Sequence, residues 1–119
     1  MTREQMTELV TTRATLLERV QRYGLYWNTI SEVPVASRTH AVHTAFRSIT
    51  EALKEYREVD KTILKMPVGG FTPLKLRQVH GLMKQVNTRL DCAWIWMAMD
   101  PAQGCLVSDE DWDPEYQSS

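Results

Sequence analysis

Three apolar seams constrain this 119-residue chain more than any other feature of it. In residues 3–31, Met6, Leu9, Leu16, Val20, Tyr23, Trp27 and Ile30 fall on alternating three- and four-residue steps, interrupted only by Arg13. Residues 38–66 repeat the spacing with Val42, Ala45, Ile49, Ala52, Tyr56, Val59, Ile63 and Met66. Residues 73–99 repeat it again with Leu76, Val79, Met83, Val86, Leu90, Ala93 and Met97. A period near 3.5 residues draws one stripe along each helix and requires long, nearly aligned helix packing. The breaks fall between the seams. Val33-Pro34 ends the first helix and Ser37 is placed to cap the second. Pro67-Val68-Gly69-Gly70 separates the second from the third, where Thr72 is the cap, Pro73 the first position and Phe71 a staple onto Leu76. Loops this short force antiparallel neighbours, so the expected fold is all-α. It is an elongated antiparallel three-helix bundle over residues 1–99, followed by a short acidic C-terminal tail.

Composition excludes several classes. The chain is 43% hydrophobic and 24% charged, which rules out wholesale disorder. Five Gly and five Pro are too few for a many-turned β-barrel. The longest apolar run, Cys92 to Met99, is well short of the roughly 20 residues a membrane span needs. With no apolar leader at the start, a cytoplasmic protein with no membrane among its partners is expected. Cys92 and Cys105 match no zinc or redox spacing and read as free thiols.

Charge is distributed unevenly. All 14 basic residues lie in residues 1–99 with nine acids, whereas residues 100–119 hold six acids and no Lys or Arg. Trp112 and Tyr116 alternate with those acids, so the tail is either a solvated terminus or a docking segment anchored by Trp112. A second concentration lies at the end of the third helix, where Trp94, Ile95 and Trp96 are consecutive. Adjacent helical positions point about 100° apart and cannot all enter one seam. Trp94, Ile95, Trp96 and Met99, with Trp112, are therefore candidates for an oligomer or partner interface, the alternative being coverage by the tail.

Candidates for chemistry are few. Glu51, Glu55 and Glu58 are interleaved with Lys54, Arg57 and Lys61, which reads as a salt-bridged solvated side of the second helix. His40 and His43 share a helix face but lack a third ligand, so no metal and no cofactor is expected. Arg38 and His43 form an Arg-x4-His arrangement that resembles the motif of the helical HEPN ribonucleases. That resemblance implies phosphate binding by Arg38 and action of His43 on a 2′-hydroxyl. Arg77, His80, Lys84 and Arg89 give the third helix a cationic side, suited to a small anionic ligand or an acidic partner. Nucleic acid is not the expected partner, because the basic footprint is light and carries no interleaved aromatics.

The segment from Asn87 to Met99 resembles the second helix of the phage-encoded helical-hairpin family that sequesters cyclic-nucleotide immune signals, the anti-CBASS and anti-Thoeris sponges. Thr88, Arg89, Leu90, Asp91, Ala93 and Trp96 carry the likeness over 13 residues. It implies a homo-oligomer whose helical ends bind nucleotides, with Thr88 and Arg89 as phosphate contacts. The function expected from the whole sequence is that of a non-enzymatic binding protein. It would be a bacterial or phage regulator or inhibitor of the counter-defence type that occupies a protein partner, most simply as a dimer. The cyclic-nucleotide sponge and the HEPN-like ribonuclease are the alternatives.

Overall fold

A computed structural model describes residues 1–100, and these form three long helices, with no strand among the described residues. Helix α1 spans Arg3–Ser31, α2 spans His40–Leu64 and α3 spans Pro73–Ala98. A single 3-10 turn, Val35–Ser37, lies between α1 and α2. The described body is elongated, 51 × 30 × 17 Å. Trp112 and the rest of the acidic tail lie outside the described residues.

Each helix starts where a side chain satisfies its first free N–H groups. Thr2 and Gln5 form a reciprocal capping box on α1. Thr72 accepts from the Lys75 N–H, with Pro73 in the first turn of α3. Helix α2 departs from the sequence expectation. Its cap is Thr39, which accepts from the Val42 N–H, so the helix starts at His40 rather than 38 and ends at Leu64 rather than 66. Ser37 is taken by the 3-10 turn, where its N–H bonds the Pro34 carbonyl. The Val33-Pro34 break therefore propagates two residues further than the cap rule alone suggested.

The core matches the seams of α2 and α3 closely. Val42, Ala45, Ile49, Ala52, Tyr56 and Val59 are buried on α2, and all seven expected positions are buried on α3. Ile63, in the last turn of α2, and Met66, just beyond it, are only partly buried. On α1 the pattern shifts. Tyr26 is buried where Trp27 was expected, Arg19 joins the core, and Met6 is only half-buried. Phe71 is buried with Leu76, as a staple requires.

Cross-helix bonds fix the register. Arg13 Nε donates to Asp60 Oδ1 at 2.9 Å and Trp27 Nε1 to Thr50 Oγ1 at 2.9 Å, so partners on α2 descend as α1 climbs. Ser48 Oγ donates to the Arg89 carbonyl at 2.7 Å, and Gln85 Nε2 reaches Glu55 at 3.3 Å. In that register Ala45, Ala52 and Val59 come level with Ala93, Val86 and Val79. Small side chains facing small ones let backbones approach, and α2 and α3 are the most intimately packed pair. Helix α1 lies over them with larger groups, Leu9, Leu16, Tyr23, Tyr26 and Ile30.

Candidate functional site

The helical repeat of α3 sorts its residues into three sides. Val79, Val86, Leu90, Ala93 and Met97 are buried inward. Trp94 and Trp96 flank them, each half-buried against the core, and the Trp96 ring meets His40 edge-on at 5.7 Å. The outward side carries Arg77, Lys84, Thr88, Cys92, Ile95 and Met99, all exposed. Steps of three, four and seven residues keep these six within one outward stripe, about 33 Å long at 1.5 Å per residue.

The structure thus divides the interface residues expected from sequence. Ile95, 54% exposed, and Met99, 64% exposed, are one turn apart and form an apolar pair in water. The tryptophans are shoulders of the core. Cys92 is an exposed free thiol between Thr88 and Ile95. Trp94 and Trp96 keep part of their surface exposed beside Ile95 and Met99, which present more apolar surface to water.

The cationic side also divides. Arg77 and Lys84 are exposed, and His80 is half-buried beside them. Thr88 is exposed and its hydroxyl donates to the Lys84 carbonyl at 3.1 Å. Arg89 turns the other way, placing Nε 2.6 Å from Glu55 Oε1 on α2. Glu55 is accordingly half-buried and cross-bonded, not part of the solvated acidic side expected from sequence. Glu51 and Glu58 do belong to that side, paired with Lys54 at 3.8 Å and Lys61 at 3.4 Å. Surface pairs of this kind contribute little to stability.

The sponge-like motif has an internal use that sequence reasoning missed. Asn87 and Asp91 hold Arg19, whose Nη1 donates to Asn87 Oδ1 at 2.9 Å and whose Nη2 lies 2.5 Å from Asp91 Oδ1. Asn87 and Asp91 are four apart on one helix side, which was the only local signal of a shared partner.

Arg38 and His43 each have a structural environment of their own. Arg38 Nε donates to the Val33 carbonyl at 3.0 Å, and its guanidinium rests 4.6 Å from the Phe46 ring centre. Phe46 in turn stacks on Trp27 at 5.0 Å, so Arg38 closes an aromatic stack. The His43 Nδ1 is buried with no hydrogen-bond partner among the described residues. Elsewhere, burial and the nearby Asp60 carboxylate push the Tyr56 phenol up to about 12, while bonding to Asp60 raises Arg13 above its usual value. This Arg13–Asp60–Tyr56 group links the middle of α1 to the C-terminal part of α2.

Among the described residues, no three His, Cys, Asp or Glu side chains gather as a metal site, and no helix is long and apolar enough to cross a membrane. A groove of about 500 Å³ runs between α1 and α2 and is lined by Leu25, Trp27, Leu53, Lys54 and Arg57 among others. It lies apart from the α3 stripe. No protein-family model, curated protein or solved structure matches this chain.

Proposed function

We propose that this protein is a non-enzymatic binding module: an antiparallel three-helix bundle with an acidic tail, working in the cytoplasm by occupying a protein partner. The observation that carries the reading is the outward stripe of α3. It places an apolar pair, Ile95 and Met99, in line with the cations Lys84 and Arg77 on one rigid element. Apolar anchors give association its energy, while the charges steer and orient the approach. A regulator or inhibitor of the counter-defence type acts in this way, by covering a partner's surface without turnover. The simplest partner is a second copy, joined about a two-fold axis through Ile95 and Met99.

The test is size-exclusion chromatography with light scattering on the full chain. Wild type is expected to run as a dimer at high micromolar concentration. Ile95→Asp is expected to run as a monomer with unchanged helicity, since Ile95 is absent from the core. A wild-type protein that scatters as a monomer under these conditions sinks the two-fold assembly.

A further inference from the structure

At the end of the molecule where α2 gives way to α3, three aliphatic side chains lie in water. Leu64 is 84% exposed, Val68 110% and Leu74 64%. Val68 sits on the turn itself, Leu64 at the last residue of α2 and Leu74 in the first turn of α3, and the turn between them is held from within. The Gly70 N–H bonds the Pro67 carbonyl at 2.9 Å, and Phe71 just beyond is buried in the core. Gly70 adopts φ +84°, and a Cβ there would meet the Met1 side chain at 2.9 Å, so the start of α1 braces the turn from beneath. Exposure of these side chains belongs to an anchored, preformed tip, with Val68 at its apex.

The chain that runs through the tip carries charge of one sign. Residues 61–90 hold six Lys and Arg and no Asp or Glu. Lys65 and Lys75 flank the turn directly, and Arg77 follows one half-turn on. All three are exposed and make no ion pair among the described residues. Lys61 is paired with Glu58. From α1, Arg3 and Glu4 stand at the same end and offset each other. The tip is thus a convex aliphatic apex inside a cationic collar.

We infer that this tip docks on an anionic lipid surface. Val68, with Leu64 and Leu74, enters the boundary between headgroups and acyl chains. Lys65, Lys75 and Arg77 meet the lipid phosphates, their aliphatic stems lying along the apolar layer. Convexity decides between partners. A nucleic acid or an acidic protein uses the cations but leaves a protruding valine in water. A fluid bilayer closes around it. The absence of a spanning helix concerns length alone and has no bearing on surface contact. In this pose α3 stands away from the membrane, and Ile95 and Met99 lie about 30 Å or more from the tip, still open to a partner. The inference is independent of the binding role assigned to the α3 stripe.

The experiment is sedimentation of the full chain with vesicles of phosphatidylcholine alone and of equimolar phosphatidylcholine and phosphatidylglycerol. Binding is expected to the anionic vesicles and not to the neutral ones. Lys65→Gln combined with Lys75→Gln is expected to weaken it about 25-fold, at roughly fivefold per charge near an anionic surface. Val68→Asp is expected to weaken it about tenfold or more while leaving helicity and melting temperature unchanged, because Val68 touches no core residue. No binding to anionic vesicles overturns the inference. So does binding that the lysine pair controls and Val68→Asp leaves intact, which assigns the collar to a soluble polyanion instead.

Discussion

Arg19 on α1 and Asp91 on α3 form a charged contact in which a core cation crosses between helices: Arg19 is 7% exposed, and its Nη2 stands 2.5 Å from the carboxylate. The two ends are unequal. Asp91 keeps much of its side chain in water, whereas Arg19 depends on protein groups for its hydrogen bonds.

That asymmetry orders two substitutions. Arg19→Met removes the buried charge, keeps the stem and returns Asp91 to solvent, so a loss of about 1 kcal/mol is expected. Asp91→Ala leaves Arg19 its bonds to Asn87 but removes the carboxylate that balances its buried charge, and is expected to cost more, about 2 kcal/mol. Urea denaturation of both variants checks the order. An equal or reversed ranking would show that Arg19 draws its support elsewhere.

Tyr56 predicts an alkaline weakness. Its phenol ionises near 12 in the folded state against an ordinary 10 in the unfolded chain, so the folded form holds the proton longer. The stabilisation is complete below about pH 10 and is lost as pH rises towards 12, by roughly 2 kcal/mol. Tyr56→Phe is expected to show a correspondingly smaller decline over that window in denaturation midpoints. Parallel declines in the two proteins would rule the assignment out.

Glycine substitutions should split by sign. Gly70→Ala places a Cβ at φ +84° and against Met1, at a cost of about 1–3 kcal/mol. Gly24→Ala and Gly81→Ala lie within helices with nothing within 4 Å of the new methyl, and each should gain about 0.5–1 kcal/mol. Thermal melts of the three variants give the answer directly.

Arg38 offers a test of the enzymatic alternative. Its roles on Val33 and Phe46 predict a stability loss of about 1 kcal/mol for Arg38→Ala, with single-stranded RNA left intact by wild type and variant alike. RNA cleavage by the pure protein that His43→Ala abolishes would restore the ribonuclease reading.

What the sequence made legible follows from how local each feature is. The seams of α2 and α3 could be read residue by residue because each packs mainly along one line, where a 3.5-residue period suffices. Helix α1 spreads larger groups over both neighbours, and a broader contact lets Tyr26 take the core position that the narrow seam assigned to Trp27. Trp27 instead keeps its ring on Phe46 and its N–H on Thr50. Arg19 carries no local signal of burial because its acceptors, Asn87 and Asp91, lie some seventy residues away. A partner 34 residues away likewise hid Glu55, whose period placed it among solvated acids while Arg89 draws it inward. On the candidate site, the pattern placed Ile95 among tryptophans without saying which of the three faces water. Half-turn geometry answers that only once the core direction is known.

The level alanines and valines of α2 and α3 give the molecule a grain. Backbones drawn close over three successive layers make those two helices a unit that opens last, whereas α1 adheres through long side chains and the ion pairs of Arg13 and Arg19. Amide exchange should therefore run in order, with α1 surrendering its protons first. A chain that peels this way exposes Tyr23, Tyr26 and the α2–α3 cleft together, and a neighbour's α1 is the sequence best shaped to fill it. Exchange of that one helix between copies is the failure this architecture invites at high concentration.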